Sequence, residues 1–190
     1  MRDDLKIPKD AVVVLSFGHI RDGKNLDLLI RSIEKLLGVH LLIVGREQSS
    51  SQRPVAWYQK LAVELGVAHR CHWINEFVAD KDVHRYFIAS DIVALLYSGE
   101  FRSASGVLNN AAQFDLPVLC SSGGGPLHEM VDSYSLGVTA QPDDLVSAVE
   151  CLSGLISRLP IELGWPRYRH DNDWDRNAKI VINTLSCSRI

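Results

Sequence analysis

Ala11-Val-Val-Val-Leu-Ser-Phe17-Gly18-His19-Ile20-Arg21-Asp22-Gly23-Lys24-Asn25, running on into Leu26 to Leu37, is the stretch that decides the fold. Its first seven residues are apolar with almost no polar alternation, as in a strand buried on both faces. Gly18 closes the run. Apolar residues then recur at 26, 29, 30, 33, 36 and 37, the period of a helix with one buried face. The unit is therefore strand, glycine turn, helix.

The same alternation continues outward. His40 to Gly45 reads as a strand, Trp57 to Leu65 as a helix stopped by Gly66, His69 to Ile74 as a strand and Asp82 to Ala89 as a short helix. Asp91 to Tyr97, Pro117 to Ser121 and Leu136 to Ala140 read as further strands. Between and after them, Ser105 to Phe114, Pro126 to Val131 and Asp143 to Leu159 read as helices. This predicts an α/β chain: a Rossmann-like, doubly wound parallel sheet of about six strands, covered on both faces. The predicted domain spans 1–160. Residues 161–173, rich in Pro, Trp, Tyr and Arg, read as an ordered but irregular crossing segment. Asp173 is the expected N-cap of a helix running to about Leu185, with Asp175 in its first turn.

Composition narrows the function classes. A net charge of −3 with scattered basic residues leaves no footprint for nucleic acid or an anionic membrane surface. No apolar run approaches the length of a membrane-crossing helix, and Met1-Arg-Asp-Asp-Leu-Lys6 lacks the apolar core of a signal peptide. The four cysteines (Cys71, Cys120, Cys151, Cys187) form no CxxC pair and read as reduced core thiols of a cytoplasmic protein. No metal site is expected, since Cys71 and His72 would face opposite sides of a strand.

Ligands of such sheets bind beyond the carboxyl ends of the strands, so three loops matter most. The first, Phe17 to Asn25, brings His19, Arg21 and Lys24 to a helix start where backbone N–H groups are free, an arrangement suited to a diphosphate. It carries neither the GxGxxG nor the GxxxxGK[ST] pattern, and Arg46 rather than an acid follows Gly45, which disfavours a dinucleotide dehydrogenase. The second, Tyr97-Ser-Gly-Glu100-Phe-Arg102-Ser103-Ala-Ser105-Gly106, enters a helix through small residues that admit an anion. Ser103 or Ser105 reads equally as a plain N-cap. A carboxylate (Glu100) in that loop fits a hydroxyl-rich partner such as a sugar. The third, Ser121-Ser-Gly123-Gly-Gly125-Pro126, places three consecutive glycines after a strand, a costly sequence unless the backbone needs positive φ or a close approach.

Taken together these loops resemble the C-terminal domain of family 4 glycosyltransferases. Arg2 to Pro8 is similar to the family's entry from its interdomain linker. Phe17-Gly18-His19 with Lys24-Asn25 resembles its Gly-Arg…Lys-Gly loop, and Leu42-Ile-Val-Gly45 its second-strand signature. Ser90 to Tyr97, Ser105 to Ala112 with Leu116-Pro117-Val118, and Gly123 to Glu129 resemble three further motifs. The similarity covers residues 2 to 150, and Trp174 with its helix resembles the crossing helix of a GT-B fold.

The resemblance implies a retaining, metal-independent transferase, with this chain as the half that binds a nucleoside-diphosphate sugar and no other cofactor. It implies that Lys24 and the backbone of Ser105, Gly106 and Val107 hold the diphosphate, with Gly18 lining the donor pocket and His19 beside it. The loop after Trp73 and Ile74 would cradle the base. Glu100, with Arg102 and Ser103 in the same sugar-proximal loop, would stand as the first acid of the family's E-x7-E motif, and Lys24 and Glu100 would be the catalytic pair. The second acid falls on Asn109, nine residues after Glu100 rather than eight, and His19 replaces an Arg. An N-terminal domain would supply the acceptor contacts, so the chain alone is expected to bind nucleotide weakly, transfer little and self-associate through 165–174. A cytoplasmic location, peripheral to a membrane through the other half, is expected, in polysaccharide biosynthesis. The alternative is a non-catalytic nucleotide or sugar-phosphate binding module of the same fold.

Overall fold

The computed structural model describes residues 1–49, 51–173, 175–179 and 182. Six strands form one parallel sheet: β1 (Val12–Phe17), β2 (Val39–Val44), β3 (Cys71–Ile74), β4 (Ile92–Leu96), β5 (Val118–Ser121) and β6 (Gly137–Thr139). Their order is β3-β2-β1-β4-β5-β6. Every pairing is parallel, with β1 running alongside β2 from Val12↔Val39 to Phe17↔Val44 and meeting β4 at Val14↔Ile92. The doubly wound sheet expected from the apolar runs is present, with its six strands.

Alternate residues of each strand face opposite sides, and the helices divide accordingly. Val14, Leu41, Ile43, Ala94 and Leu119 pack with α1 (Leu26–Lys35), α2 (Val55–Glu64) and α6 (Leu145–Ile156). Val13, Leu15, Leu42, Val93 and Cys120 pack with α3 (Asp80–Ile88), α4 (Gly106–Ala112), α5 (Pro126–Ser133) and α7 (Trp165–Asp171). Strands β2, β4 and β5 are buried along their whole length, which is why they read as nearly unbroken apolar runs. Among the described residues no helix is long and apolar enough to cross a membrane.

The segment 161–173 differs from expectation. It contains the helix α7, with Pro166 in its first turn and Trp165 fully buried among the α3–α5 layer. Proline at a first turn loses no helical hydrogen bond, so its presence favours a helix start rather than irregular chain. Asp173 Oδ1 accepts from the N–H of Arg176, consistent with capping, and residues 175–179 are helical. Trp174, Cys187 and the expected end of that helix lie outside the described residues.

The amino ends of the central strands are tied by one carboxylate. Asp91 Oδ2 accepts from Arg2 Nη2 at 2.7 Å and from the backbone N–H of Val13 at 2.7 Å. Arg2 Nε also donates to Ala89 O at 2.8 Å. Val13 is buried, so Asp91→Ala leaves its N–H without an acceptor, a loss of about 1–3 kcal/mol. We expect the melting temperature by circular dichroism to fall about 2–4 °C for each kcal/mol lost. An unchanged melting point would show that this carboxylate does not secure the β1–β4 junction.

Candidate functional site

After β1 the chain turns toward β2 and β3; after β4 it turns the other way, toward β5 and β6. The two exits diverge, and a cleft of about 580 Å³ opens between them. One wall is Phe17, Gly18, His19, Arg21 and Lys24, with Gln48 from the loop after β2. The other is Tyr97, Phe101, Ala104, Ser105, Gly106, Val107 and Asn110.

Local sequence explains each wall. Gly18 has φ of +94°, and a Cβ there would stand 3.0 Å from Lys24 Nζ. A side chain would thus displace the ammonium as well as strain the turn. Gly45 is more constrained still, since a Cβ would lie 2.1 Å from Gly18 O. The ends of β1 and β2 can approach this closely only because Gly45 lacks a side chain, and Gly18 N–H lies within 2.8 Å of Val44 O. Lys24 is half-buried, its Nζ donating to Phe17 O at 2.8 Å. Burial, and then the nearby charge of Arg21, lower its pKa from 10.5 to about 8. Among the described residues neither Lys24, Arg21 nor His19 forms an ion pair, whereas Arg53 is held by both Asp22 and Asp27. The positive charge on this wall is unspent.

On the opposite wall Ser105 occupies the N-cap position of α4, but its hydroxyl does not cap the helix. It sits 3.0 Å from Tyr97 Oη instead, and the Tyr97 ring stacks on Phe101 with centroids 4.1 Å apart. The N–H groups of Gly106 and Val107 consequently find no acceptor among the described residues and stand at the cleft. The two walls are stitched together. Ser98 N–H donates to Gly23 O at 2.9 Å, and Asp143 accepts from Asn25 Nδ2 and Gly99 N–H, both at 2.7 Å.

Not every residue expected at this site lines it. Asn109 points to a neighbouring hollow between α4 and α7, where Tyr168 Oη donates to its Oδ1 at 2.6 Å. Asn110, one position on, faces the cleft, because one residue along a helix turns the side chain by about 100°. Glu100 and Ser103 are exposed and are not among the lining residues. Arg102 folds back to donate to Gly99 O and lines the hollow past β5. Ile74 packs into the core and contributes its carbonyl, which accepts from Gly45 N–H at 2.9 Å. The loop after it supplies Glu76, Phe77 and Val78 to an apolar hollow of about 120 Å³ beside Gly18 and His19. Phe77 is 71% exposed, with the Arg46 guanidinium 5.9 Å from its ring centre. Sequence reasoning missed Phe77, Gln48, Tyr97 and Asn110. A lone phenylalanine in the polar run Asn75-Glu-Phe77 was the one visible signal. Among the described residues no group of three or more His, Cys, Asp or Glu could hold a metal ion.

An open parallel sheet with a cleft at its switch point defines a Rossmann-like α/β class of domain. Residues 1–157 match the family model for glycosyl transferases group 1, and the chain belongs to that family. It is 34% identical over 126 residues to a D-inositol 3-phosphate glycosyltransferase of Mycobacteroides abscessus, covering 65% of this chain and 27% of that protein. With the enzyme of the same name from Mycolicibacterium smegmatis it shares 27% identity over 165 residues, 86% of this chain and 37% of the relative. Among solved structures, HepE of Anabaena in complex with UDP superposes with a TM-score of 0.85 at 18% identity, covering 98% of this chain and 51% of that one. Sucrose-phosphate synthase of Thermosynechococcus elongatus gives 0.79 at 18% identity, with 98% and 48% covered. The chain spans about a third of the length of these curated relatives and half that of the structures.

The Lys24 ammonium sets a pH dependence. An anion in the cleft favours the protonated form, so affinity is retained below about 8 and falls as pH rises through and above that value. Titrations with a nucleoside diphosphate across that range check this. Affinity unchanged well above 8 would show that Lys24 does not meet the anion.

Proposed function

We propose that this chain is the donor-binding half of a retaining, metal-independent glycosyltransferase that uses a nucleoside-diphosphate sugar. The observation that carries the reading is the convergence, across one cleft, of the unpaired Lys24 ammonium and the free N–H groups of Gly106 and Val107. The reaction breaks the bond from the anomeric carbon to a diphosphate oxygen and forms a bond to an acceptor hydroxyl oxygen. The acceptor proton passes to the departing diphosphate. Negative charge grows on the diphosphate as the bond breaks, and preorganised donors aimed at that point lower the barrier.

Each residue has a part in this proposal. Lys24, with Arg21 and His19 near it, neutralises the diphosphate. Gly18 leaves room for it, and Ser105 fixes the start of α4 through Tyr97. Asn110, which lines the cleft, is assigned to the ribose, a part that the resemblance put on Asn109. Phe77 offers a face on which the base stacks beside Gly18 and His19, in the way an aromatic platform holds a nucleobase. Glu100, exposed in the same loop as Phe101, is assigned to the sugar hydroxyls. The HepE structure was solved with UDP, which favours uracil as the base. The acceptor contacts belong to a partner domain, and the relatives' name points to a phosphorylated polyol as one acceptor class. A non-catalytic nucleotide-binding module is the second reading, favoured by an amide at Asn109, where the resemblance puts the second acid.

Calorimetric titration with UDP, GDP and ADP tests the proposal. One diphosphate is expected to bind, and Lys24→Ala to weaken it by about 1.5–3 kcal/mol, tenfold or more, as for a lost charge-assisted hydrogen bond. Equal binding by Lys24→Ala would overturn the assignment of the cleft. Transfer by the chain joined to an acceptor domain, abolished in Glu100→Gln, separates the enzyme from the module.

A further inference from the structure

Past the carboxyl ends of β5 and β6 lies a second hollow, of about 600 Å³, on the far side of the loop that carries Glu100. The donor cleft does not use it. Ser122 leaves β5 and lines it, 4% exposed, with its Oγ lacking any hydrogen-bond partner. A buried hydroxyl without a partner is costly, and a water or a ligand in the hollow would supply one. His128, from the first turn of α5, also lines the hollow, and its buried Nδ1 is likewise unpartnered.

The surrounding charges favour an anion. Arg102 reaches into the hollow, its Nη1 held by the Gly99 and Phe101 carbonyls. The eight-residue helix α5 opens without a side-chain cap. The N–H groups of Gly124, Gly125, Leu127 and His128 find no acceptor among the described residues. Among the described residues the one carboxylate that lines the hollow, Asp132, is already engaged: Thr139 Oγ1 donates to it at 2.6 Å, and His128 Nε2 stands 3.1 Å away. Glu129 lines a different hollow, with Arg167. His128 meets Asp132 through Nε2, which leaves Nδ1 without a partner among the described residues.

We propose that this hollow is a second anion site, built for a phosphate group that Arg102, Ser122 Oγ, His128 Nδ1 and the open first turn of α5 hold together. A tetrahedral dianion suits several donors converging from a helix N-terminus, a hydroxyl and a guanidinium. The phosphate is either free or carried as a monoester on a substrate.

The test is a nuclear magnetic resonance titration of the ¹⁵N-labelled chain with inorganic phosphate and, separately, with glucose 6-phosphate. Amides from Gly123 to Glu129 are expected to shift in the parent chain and equally in Lys24→Ala. Arg102→Gln and Ser122→Ala are each expected to weaken the titration about tenfold. Arg102 is exposed, so its variant decides the matter if Ser122→Ala loses its fold. Tighter binding of the ester identifies a substrate phosphate, and equal binding identifies free phosphate; either supports the site. No shift over 123–129, shifts unchanged in both variants, or shifts abolished by Lys24→Ala would overturn it. The last outcome would mean that the signal reports the donor cleft.

Discussion

The pairing of β1 with β2 on one side and β4 on the other is the constraint on which the rest depends. Parallel strands need crossovers, and crossovers of one hand send the chain outward in opposite directions from the middle of the sheet. Nothing then covers the carboxyl ends of β1 and β4, and a cleft is unavoidable there. The side chains that fill the two layers, from Leu29 and Tyr58 on one face to Phe87 and Trp165 on the other, hold this geometry without taking part in the chemistry.

What suits this gap to an anion is that its polar groups are positioned by the local backbone without meeting a counter-charge. Lys24 is held by a carbonyl rather than a carboxylate, so it is positioned without being neutralised. Ser105 gives its hydroxyl to Tyr97 rather than to its own helix, so the α4 N–H groups stay open. Asp143 bridges Asn25 and Gly99 and holds the two walls in register, at a point away from the cleft lining. Stability and binding are thereby divided between different residues, and the anion-holding groups are free to differ in charge without loosening the walls.

Much of this was legible in the sequence. Strands buried on both faces read as unbroken apolar runs, and the order of strands and helices follows from their alternation. Gly18, Lys24 and the Ser105-Gly106 turn were visible because a strand end, a basic side chain and small residues at a helix start each have a local reason. Less legible were features set by rotation and by turn shape. Asn109 and Asn110 are adjacent, and only the phase of α4 decides which one faces the cleft. Glu100 and Arg102 follow a turn whose direction is fixed by Gly23, Asp143 and Phe101, none of them close in sequence to all the others. The helix α7 was hidden because Trp and Tyr are weak helix formers and a proline favours a helix only where it falls in the first turn, and it is buried contact of Trp165 and Tyr168 that fixes it. Phe77 acquires meaning only when β3 delivers it beside Gly18.

The most direct test of the account is a crystal structure of the chain grown with a nucleoside diphosphate. The account predicts the diphosphate between the walls, with its oxygens in hydrogen-bond reach of Lys24 Nζ and of the Gly106 and Val107 N–H groups, and the base against Phe77. A nucleotide seated instead in the hollow between α4 and α7, with Lys24 still bound only to Phe17 O, would contradict it.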